Sequence, residues 1–236
     1  MNSKSNNILL KIFQKLNFYI EYLFKREINE KKLYLDILKN KNLVIFDVGS
    51  NLGNYSEYIS KIFYKRVINI HSFEPIKHLL NRQKIKSGNL IKNNVAVTDK
   101  NEIVKFYERD ISSQSSLYKY SNLESDKIIK SYDIETINLV DYMEKNNIQN
   151  IDILKLDVEG KELDIVKSLV QSFEYINIKI IKIESAYRRN KQDSFSNLLQ
   201  IYTILNSNNY EFFGNTNTKY LDNKIFFSDS YFVKKI

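Results

Sequence analysis

Residues 44–56, VIFDVGSNLGNYS, decide the predicted fold of this chain. An apolar run ends at Asp47, and two of the chain's five glycines, Gly49 and Gly53, follow directly. A strand that passes through a glycine-rich turn into a helix brings bare backbone and unpaired helix N–H groups to one place. The stretch therefore predicts a ligand-binding strand–turn–helix unit; the alternative is a tight turn whose glycines only serve packing.

Outward from this stretch, strand-like and helix-like segments alternate along most of the chain. Apolar strands are predicted at 43–48, 66–74, 89–97, 151–158 and 176–185, and helices at 55–63, 76–85, 160–172 and 193–208. Such alternation is typical of an α/β fold with a parallel sheet covered on both faces. Two further strand-like segments, 102–109 and 132–139, flank a serine-rich stretch (110–126) that is predicted as a functional loop, and the C-terminus reads as a hairpin.

The ligand of the 44–56 stretch is predicted from its charge and glycine spacing. The spacing is G-x-x-x-G, whereas dinucleotide-binding proteins carry G-x-G-x-x-G. Asp47 stands at the carboxyl end of its strand, where a carboxylate repels phosphate and suits a cation. S-adenosylmethionine is such a cation, because it carries an ammonium group and a sulfonium.

The second predicted strand ends in Glu74, which is followed by the only proline of the chain. An acid at this place can accept hydrogen bonds from both hydroxyl groups of a ribose. The alternative is an acidic helix start that the helix dipole favours. NAD enzymes carry the same acid, so Glu74 indicates a nucleoside without identifying it.

Further polar residues end the other predicted strands at the same edge of the sheet. Asp157 and Glu159 lie in LKLDVEGKE (154–162), Glu184 ends the strand 176–185, and Asn94 lies near the end of the third strand. Converging carboxylates can act as a general base, bind a metal or hold a polar substrate. We interpret Asp157 and Glu159 as catalytic, with Asp157 and Glu184 as candidate metal ligands; the alternative is that such acids cap the following helices. Asn94 is either an adenine or ribose contact or a turn residue.

The motifs FDVGSNLGNYS, FEP, NNVAV, SSL and LKLDVEGKELDIV together resemble the FkbM-type methyltransferases, which are class I enzymes that use S-adenosylmethionine. The resemblance covers roughly residues 42–186. It implies a Rossmann-like, seven-stranded, mostly parallel sheet whose last strand is antiparallel. It also implies an active-site role for Asp157 and Glu159 and a set of donor-binding residues, namely Asp47, Gly49, Asn51, Gly53, Glu74, Asn94, Ser115 and Ser116.

Composition limits what else the chain can do. The 236 residues include no cysteine and two histidines, which excludes disulfides and cysteine-ligated zinc and leaves carboxylates to hold any metal. No signal-peptide cleavage site and no apolar run of about 18 residues is seen, so a cytoplasmic protein is expected. The net charge of +8 would suit nucleic acid, anionic lipid or an acidic substrate, although a lysine-rich composition produces it without function.

Residues 6–39 carry apolar residues at helical spacing. We therefore predict an N-terminal helical extension over residues 1–41, followed by a methyltransferase domain over residues 42–236. The extension is expected to pack on this domain, and peripheral contact with a membrane is the alternative.

Together these features predict an O-methyltransferase that acts on a hydroxyl group of a sugar, a glycan or a related small acceptor. The alternatives are an RNA methyltransferase, a non-catalytic nucleoside-binding protein of the same fold and an NAD oxidoreductase. The glycine spacing and Asp47 disfavour the NAD enzyme, and no aromatic-rich RNA-binding motif supports the RNA enzyme. The acceptor, a divalent metal and the oligomeric state stay open at this point.

Overall fold

The computed structural model describes residues 26–119, 127–186, 198–221 and 224–235. Most of the helix predicted at 6–39 lies outside these residues, as do the end of the serine-rich stretch and the start of the helix predicted at 193–208. Within the described ranges the helices are α1 (Glu30–Ile37), α2 (Asn54–Ile62), α3 (Lys77–Arg82), α4 (Leu139–Lys145), α5 (Glu162–Leu169) and α6 (Leu198–Ser207), with 3₁₀ turns at Ser112–Gln114 and Val170–Glu174.

The strands form one large sheet and one small one. They are β1 (Asn42–Val48), β2 (Val67–Phe73), β3 (Asn89–Asn93), β4 (Ala96–Thr98), β5 (Ile103–Arg109), β6 (Ile128–Asn138), β7 (Asn150–Leu156), β8 (Asn177–Ala186), β9 (Tyr210–Leu221) and β10 (Lys224–Lys234). The large sheet has seven strands in the order β3-β2-β1-β7-β8-β10-β9, and the small sheet has the order β4-β6-β5. The last strand, β10, is antiparallel to both of its neighbours, so the seven-stranded class I architecture is confirmed.

The order of the strands places a crevice between β1 and β7. From β1 the chain moves outward through β2 to β3, and it returns to the centre of the sheet at β7. The connections after β1 and β7 therefore leave in opposite directions. Ligands of open α/β sheets bind at the carboxyl ends of strands that diverge in this way.

The third predicted strand is where the observed fold departs from the prediction. Residues 89–97 do not form one strand, because β3 ends at Asn93 and β4 begins at Ala96 in the other sheet. Between them, the Asn94 side chain donates to the carbonyl groups of Glu74 (3.0 Å) and Pro75 (2.8 Å). These bonds hold the chain in a turn, so it leaves the large sheet before the apolar residues of β4.

The core has one layer on each face of the large sheet. β7 is buried at every position after Asn150, as expected for a central strand that is covered on both sides. One face packs against α4, α5 and α6, and the other against α1 and α2. Helix α1 contributes Leu33 and Tyr34 to this second face, while the domain boundary at residues 41/42 stays a prediction. In the described part of the chain, none of the helices has the length and apolarity needed to cross a membrane.

Candidate active site

The loop between β1 and α2, residues 49–53 and called the glycine loop below, is built on two glycines with positive φ. Gly49 has φ 72°, and Gly53, which precedes α2, has φ 79°. A Cβ atom on Gly49 would lie 1.7 Å from the carbonyl oxygen of Asp157, whereas one on Gly53 would first meet the Gln83 side chain at 2.9 Å. The space beside the Gly49 Cα is thus filled by the chain itself, and a contact of Gly49 with a donor stays a prediction.

Replacing Gly49 with alanine is expected to destabilise the protein more than the same change at Gly53. Alanine in the left-handed region costs about 1–2 kcal/mol at either position, but at Gly49 its Cβ also collides with rigid backbone. Urea unfolding should show a loss of at least about 3 kcal/mol for Gly49→Ala, or no cooperative transition, against about 1–2 kcal/mol for Gly53→Ala. Equal losses would contradict the backbone collision.

Glu74, directly after β2, holds the glycine loop in place. Its Oε2 accepts a hydrogen bond from the Asn51 N–H (2.8 Å), and its Oε1 accepts one from the Ile76 N–H (2.8 Å). Gln83 adds a bond from its Nε2 to the Asn51 carbonyl (2.7 Å). Glu74 is 5% exposed, and burial raises its pKa to about 7 despite the two N–H donors. Each carboxylate oxygen has a further lone pair, so Glu74 can still accept hydrogen bonds from a ligand.

Asp47, near the end of β1, is fully buried and packed against the start of α2. Its Oδ2 accepts hydrogen bonds from the N–H (3.2 Å) and the hydroxyl group (2.7 Å) of Ser56. Its Oδ1 lies 3.2 Å from the Nζ of Lys155 on β7. In this structure the cationic partner of Asp47 is therefore the ammonium group of Lys155. A contact between Asp47 and a bound donor stays a prediction.

Lys155 joins these groups, and the sequence reasoning missed it. Its ammonium group donates to the Gly49 carbonyl (3.0 Å) and forms ion pairs with Asp47 (3.2 Å) and Asp157 (3.0 Å). Burial alone would lower the pKa of Lys155, but the two carboxylates outweigh it and hold this pKa above its ordinary value. The signal was present in LKLDVEG, because a lysine two positions before Asp157 lies on the same face of the strand.

Asp157, Glu159 and Glu184, called the acid trio below, meet at the carboxyl ends of β7 and β8. One carboxylate oxygen from each lies within 4.8 Å of the oxygens of the other two. Burial alone would raise the pKa of Asp157, but Lys155 outweighs it and the net shift is downward. Burial and the charge of Asp157, to which it is hydrogen-bonded, raise the pKa of Glu184 well above its ordinary value. Of these two neighbouring acids, Asp157 is therefore the one that ionises more readily.

The turn that carries Glu159 is held by Glu162, the first residue of α5. Glu162 is 2% exposed, and its carboxylate accepts hydrogen bonds from the N–H groups of Val158 (2.8 Å) and Gly160 (3.1 Å). Glu159 itself has φ 55° within this turn. Glu162 therefore stabilises the turn that precedes α5.

The predicted donor-binding serines lie in the insert between β5 and β6. The Ser115 hydroxyl accepts a hydrogen bond from the Arg109 N–H (2.9 Å), and Ser116 is buried and pairs with the backbone of Tyr107. The serine that reaches the glycine loop is Ser112, whose hydroxyl accepts a hydrogen bond from the Asn51 side chain (3.3 Å). Roles of Ser115 and Ser116 toward a donor stay predictions.

A second buried lysine lies beside Lys155 across the pairing of β7 with β8. Lys182 is the register partner of Lys155 and is also 7% exposed. Its Nζ lies 3.2 Å from a carboxylate oxygen of Glu30 and 3.2 Å from one of Asp229. Glu30 in turn accepts a hydrogen bond from the Tyr231 hydroxyl (2.7 Å). This network ties α1 to β8 and β10.

Comparisons with known proteins identify the family. The model of the methyltransferase FkbM domain matches residues 47–212. The hexuronic acid methyltransferase AglP of Haloferax volcanii is 25% identical over 146 residues, which are 60% of this chain and 56% of that protein. The crystal structure of methyltransferase FkbM from Methylobacillus flagellatus KT has a TM-score of 0.51 and 15% identity, over 90% of this chain and 50% of that chain. The chain thus spans about half the length of these two relatives.

The matched stretch begins at Asp47 and ends at Phe212, so it includes the glycine loop, Glu74, Lys155 and the acid trio. The similarity to the solved structure shows a common fold and nothing more, because the sequence identity is 15%. The family model, in contrast, covers more than half of the chain. The resemblance carried by the sequence motifs is confirmed, and this chain belongs to the FkbM methyltransferase family.

Proposed function

We propose that this protein transfers a methyl group from S-adenosylmethionine to a hydroxyl oxygen of a sugar, a glycan or a related small acceptor. The observation that carries the proposal is that the acid trio lies next to the glycine loop. Lys155 touches both, since its ammonium group contacts the Gly49 carbonyl and the Asp157 carboxylate. The loop that would hold the donor and a carboxylate that can accept a proton are therefore adjacent.

The residues after β2 fit the ribose of S-adenosylmethionine. A ribose offers two neighbouring hydroxyl donors, and Glu74 has a spare lone pair on each oxygen. The raised pKa of Glu74 means that two backbone N–H groups do not fully compensate for burial of its charge. Two further donors would stabilise the ionised form, so we propose Glu74 as the ribose contact, with Asn51 and Asn94 beside it.

The proposed chemistry requires a proton acceptor. When bound, S-adenosylmethionine supplies an electrophilic methyl group, whose bond to sulfur breaks as a carbon–oxygen bond forms, with the electron pair left on sulfur. The acceptor hydroxyl loses its proton in this reaction, and we propose that Asp157 takes it. Asp157 is suited to this because it is ionised at neutral pH and its side chain is 30% exposed. The nearby Lys155 makes it a weak base, so it takes the proton as the forming carbon–oxygen bond makes the acceptor oxygen acidic.

The charge of the site favours a neutral acceptor. Asp157 and Glu159 present carboxylates, and the ammonium group of Lys155 is already paired with Asp157, so a carboxylate acceptor would be repelled. The name of the Haloferax relative, a hexuronic acid methyltransferase, supports a sugar as the class of acceptor. We therefore propose a sugar hydroxyl group, and not a sugar carboxylate, as the methylated group, with Glu159 positioned to hydrogen-bond it.

A divalent cation at the acid trio would compete with the ammonium group of Lys155. This ammonium group already lies 3.0 Å from the Asp157 carboxylate. Cations such as Mg²⁺ and Ca²⁺ are bound by ionised carboxylates that can turn toward the metal. We therefore propose that Lys155, and not a metal ion, is the cationic partner of Asp157.

A labelled-methyl assay tests this proposal. We expect transfer from S-adenosylmethionine to neutral sugars within a panel of free, nucleotide-linked and lipid-linked sugars, with an alkali-stable methyl ether as the product and no effect of EDTA. S-adenosylmethionine, and not NAD, should also raise the melting temperature, because a ligand stabilises the state that it binds. A shift with NAD alone would contradict the donor, an alkali-labile ester would contradict the hydroxyl acceptor, and loss of activity in EDTA would contradict the metal-free site.

A further inference from the structure

We propose that Lys155 is a positioning residue for methyl transfer, which ties the glycine loop to the Asp157 carboxylate and so sets the spacing between the donor and the base. The inference rests on the proposed function, and it assigns Lys155 no direct contact with donor or acceptor. Lys155 acts through the groups that it holds.

The contacts of Lys155 come from three segments that are remote in sequence. An ammonium group has three N–H donors, and Lys155 has oxygen neighbours on β1 (Asp47), in the glycine loop (Gly49) and directly after β7 (Asp157), all within 3.2 Å. The residue is 7% exposed, so water screens these contacts little. A single side chain thereby links both strand ends of the crevice.

The backbone shows why such a link is useful at this place. The pairing of β1 with β7 runs to Val48 and Leu156, and the next bond is from the Asp157 N–H to the Val48 carbonyl (3.1 Å). Beyond this hydrogen bond the two segments separate. The segment after β1 continues into the glycine loop, and the segment after β7 continues into the turn that carries Glu159. The Lys155 side chain bridges them where the sheet hydrogen bonds stop.

A purely structural role makes a different prediction. Asp47 is a fully buried carboxylate, and a buried charge that loses its partner is strongly destabilising. A loss of activity in the single variant Lys155→Met would therefore not distinguish a positioning role from unfolding of the protein. The double variant Asp47→Asn/Lys155→Met removes both charges, and the amide oxygen of the introduced asparagine can still accept the hydrogen bonds from Ser56.

The neighbouring strand offers a matched control. Lys182→Met/Asp229→Asn removes an equivalent buried pair, formed by the register partner of Lys155 on β8 and a residue of β10, from the network that ties α1 to the sheet. This control has the same change in charge and a comparable loss of burial. It should lower stability and leave kcat within about threefold of the native value.

We expect Asp47→Asn/Lys155→Met to lower kcat at least about 50-fold, because displacing reacting groups by about 1 Å can cost about 100-fold. This kcat is measured at saturating S-adenosylmethionine, because Asp47 is itself a predicted donor contact and its replacement can also weaken donor binding. Lys155→Arg keeps the positive charge and should have a kcat at least about tenfold above that of the double variant. Amide hydrogen exchange should become faster in residues 49–53 and 157–160 of the double variant and stay unchanged there in the control.

Native turnover in Asp47→Asn/Lys155→Met would overturn the proposal, since Lys155 would then serve only to neutralise Asp47. An equal fall of kcat in the Lys182 control would overturn it as well. Failure of the native protein to bind S-adenosylmethionine contradicts the proposed function instead. In that case the exchange comparison still decides whether Lys155 links the two segments.

Discussion

Asp157→Asn is expected to lower kcat about 100- to 10,000-fold, which is the usual contribution of a general base. Asparagine keeps the shape of the side chain and cannot accept the proton of a hydroxyl group. The fold should tolerate the change, because Lys155 retains Asp47 as an ionic partner. Donor affinity should stay within about threefold, so single-turnover kinetics with saturating S-adenosylmethionine would measure the chemical step directly.

Asp152→Asn is the matched control for this variant. Asp152 lies on β7, the strand that Asp157 directly follows. It is 5% exposed, pairs with Lys179 (2.7 Å) and accepts a hydrogen bond from the Val44 N–H (2.9 Å). It stands at the opposite end of β7 from the crevice, so its loss should lower stability and leave kcat within about twofold. Near-native turnover in Asp157→Asn would refute the base assignment, and equal losses in both variants would indicate a structural effect.

Glu74→Gln is expected to weaken the affinity for S-adenosylmethionine about 10- to 100-fold, since hydrogen bonds to a charged acceptor contribute about 1.5–3 kcal/mol. The amide NH₂ group of glutamine cannot accept a hydrogen bond. One of the two backbone N–H groups, that of Asn51 or that of Ile76, therefore also loses its acceptor. Titration calorimetry measures the affinity, and kcat at saturating donor should change much less.

The pH dependence of donor binding has a defined sign. Ribose hydroxyl groups donate to the ionised carboxylate, and the pKa of Glu74 in the unliganded protein is about 7. Donor affinity should therefore rise as the pH is raised through about 7 and level off above it. Glu74→Gln should remove this rise.

The same group affects stability in the opposite direction. The folded-state pKa of Glu74, about 7, lies above its ordinary value of 4.5. The stabilising contribution of the protonated form is fully present below pH 4.5 and is lost as the pH rises through about 7. The difference in unfolding free energy between the native protein and Glu74→Gln, measured at about pH 5 and about pH 8, isolates this contribution.

Glu162→Gln tests whether the effect at Glu74 is specific to the donor. Glu162 is also a buried glutamate that accepts backbone N–H groups, but it holds the turn of the acid trio. This variant should lower turnover and keep donor affinity within about threefold. Unchanged affinity in Glu74→Gln would refute the ribose contact, and an equal loss in both variants would indicate general loosening of the site.

Much of the fold followed from local patterns. The apolar segments that contain β1, β2, β7 and β8 were predicted as strands, and the antiparallel C-terminal hairpin was predicted from its two strand-like segments. The prediction was wrong at residues 89–97, where one apolar segment serves two different sheets. Periodicity does not reveal such a division, because it is made by bonds from Asn94 to Glu74 and Pro75, which are distant in sequence.

The sequence by itself determined which residues reach the crevice. Parallel strands end at one edge of a sheet, so strand-end positions alone placed Asp47, Glu74, Asp157 and Glu184 there. Only the tertiary structure decided what these residues do to one another. The pairing of Lys155 with Asp47 and Asp157, the contact of Gly49 with the Asp157 carbonyl and the raised pKa of Glu184 all depend on distances of a few ångströms. Those distances are set by the packing of β1 against β7 and β8, because ionic attraction and loss of hydration both change steeply over that range.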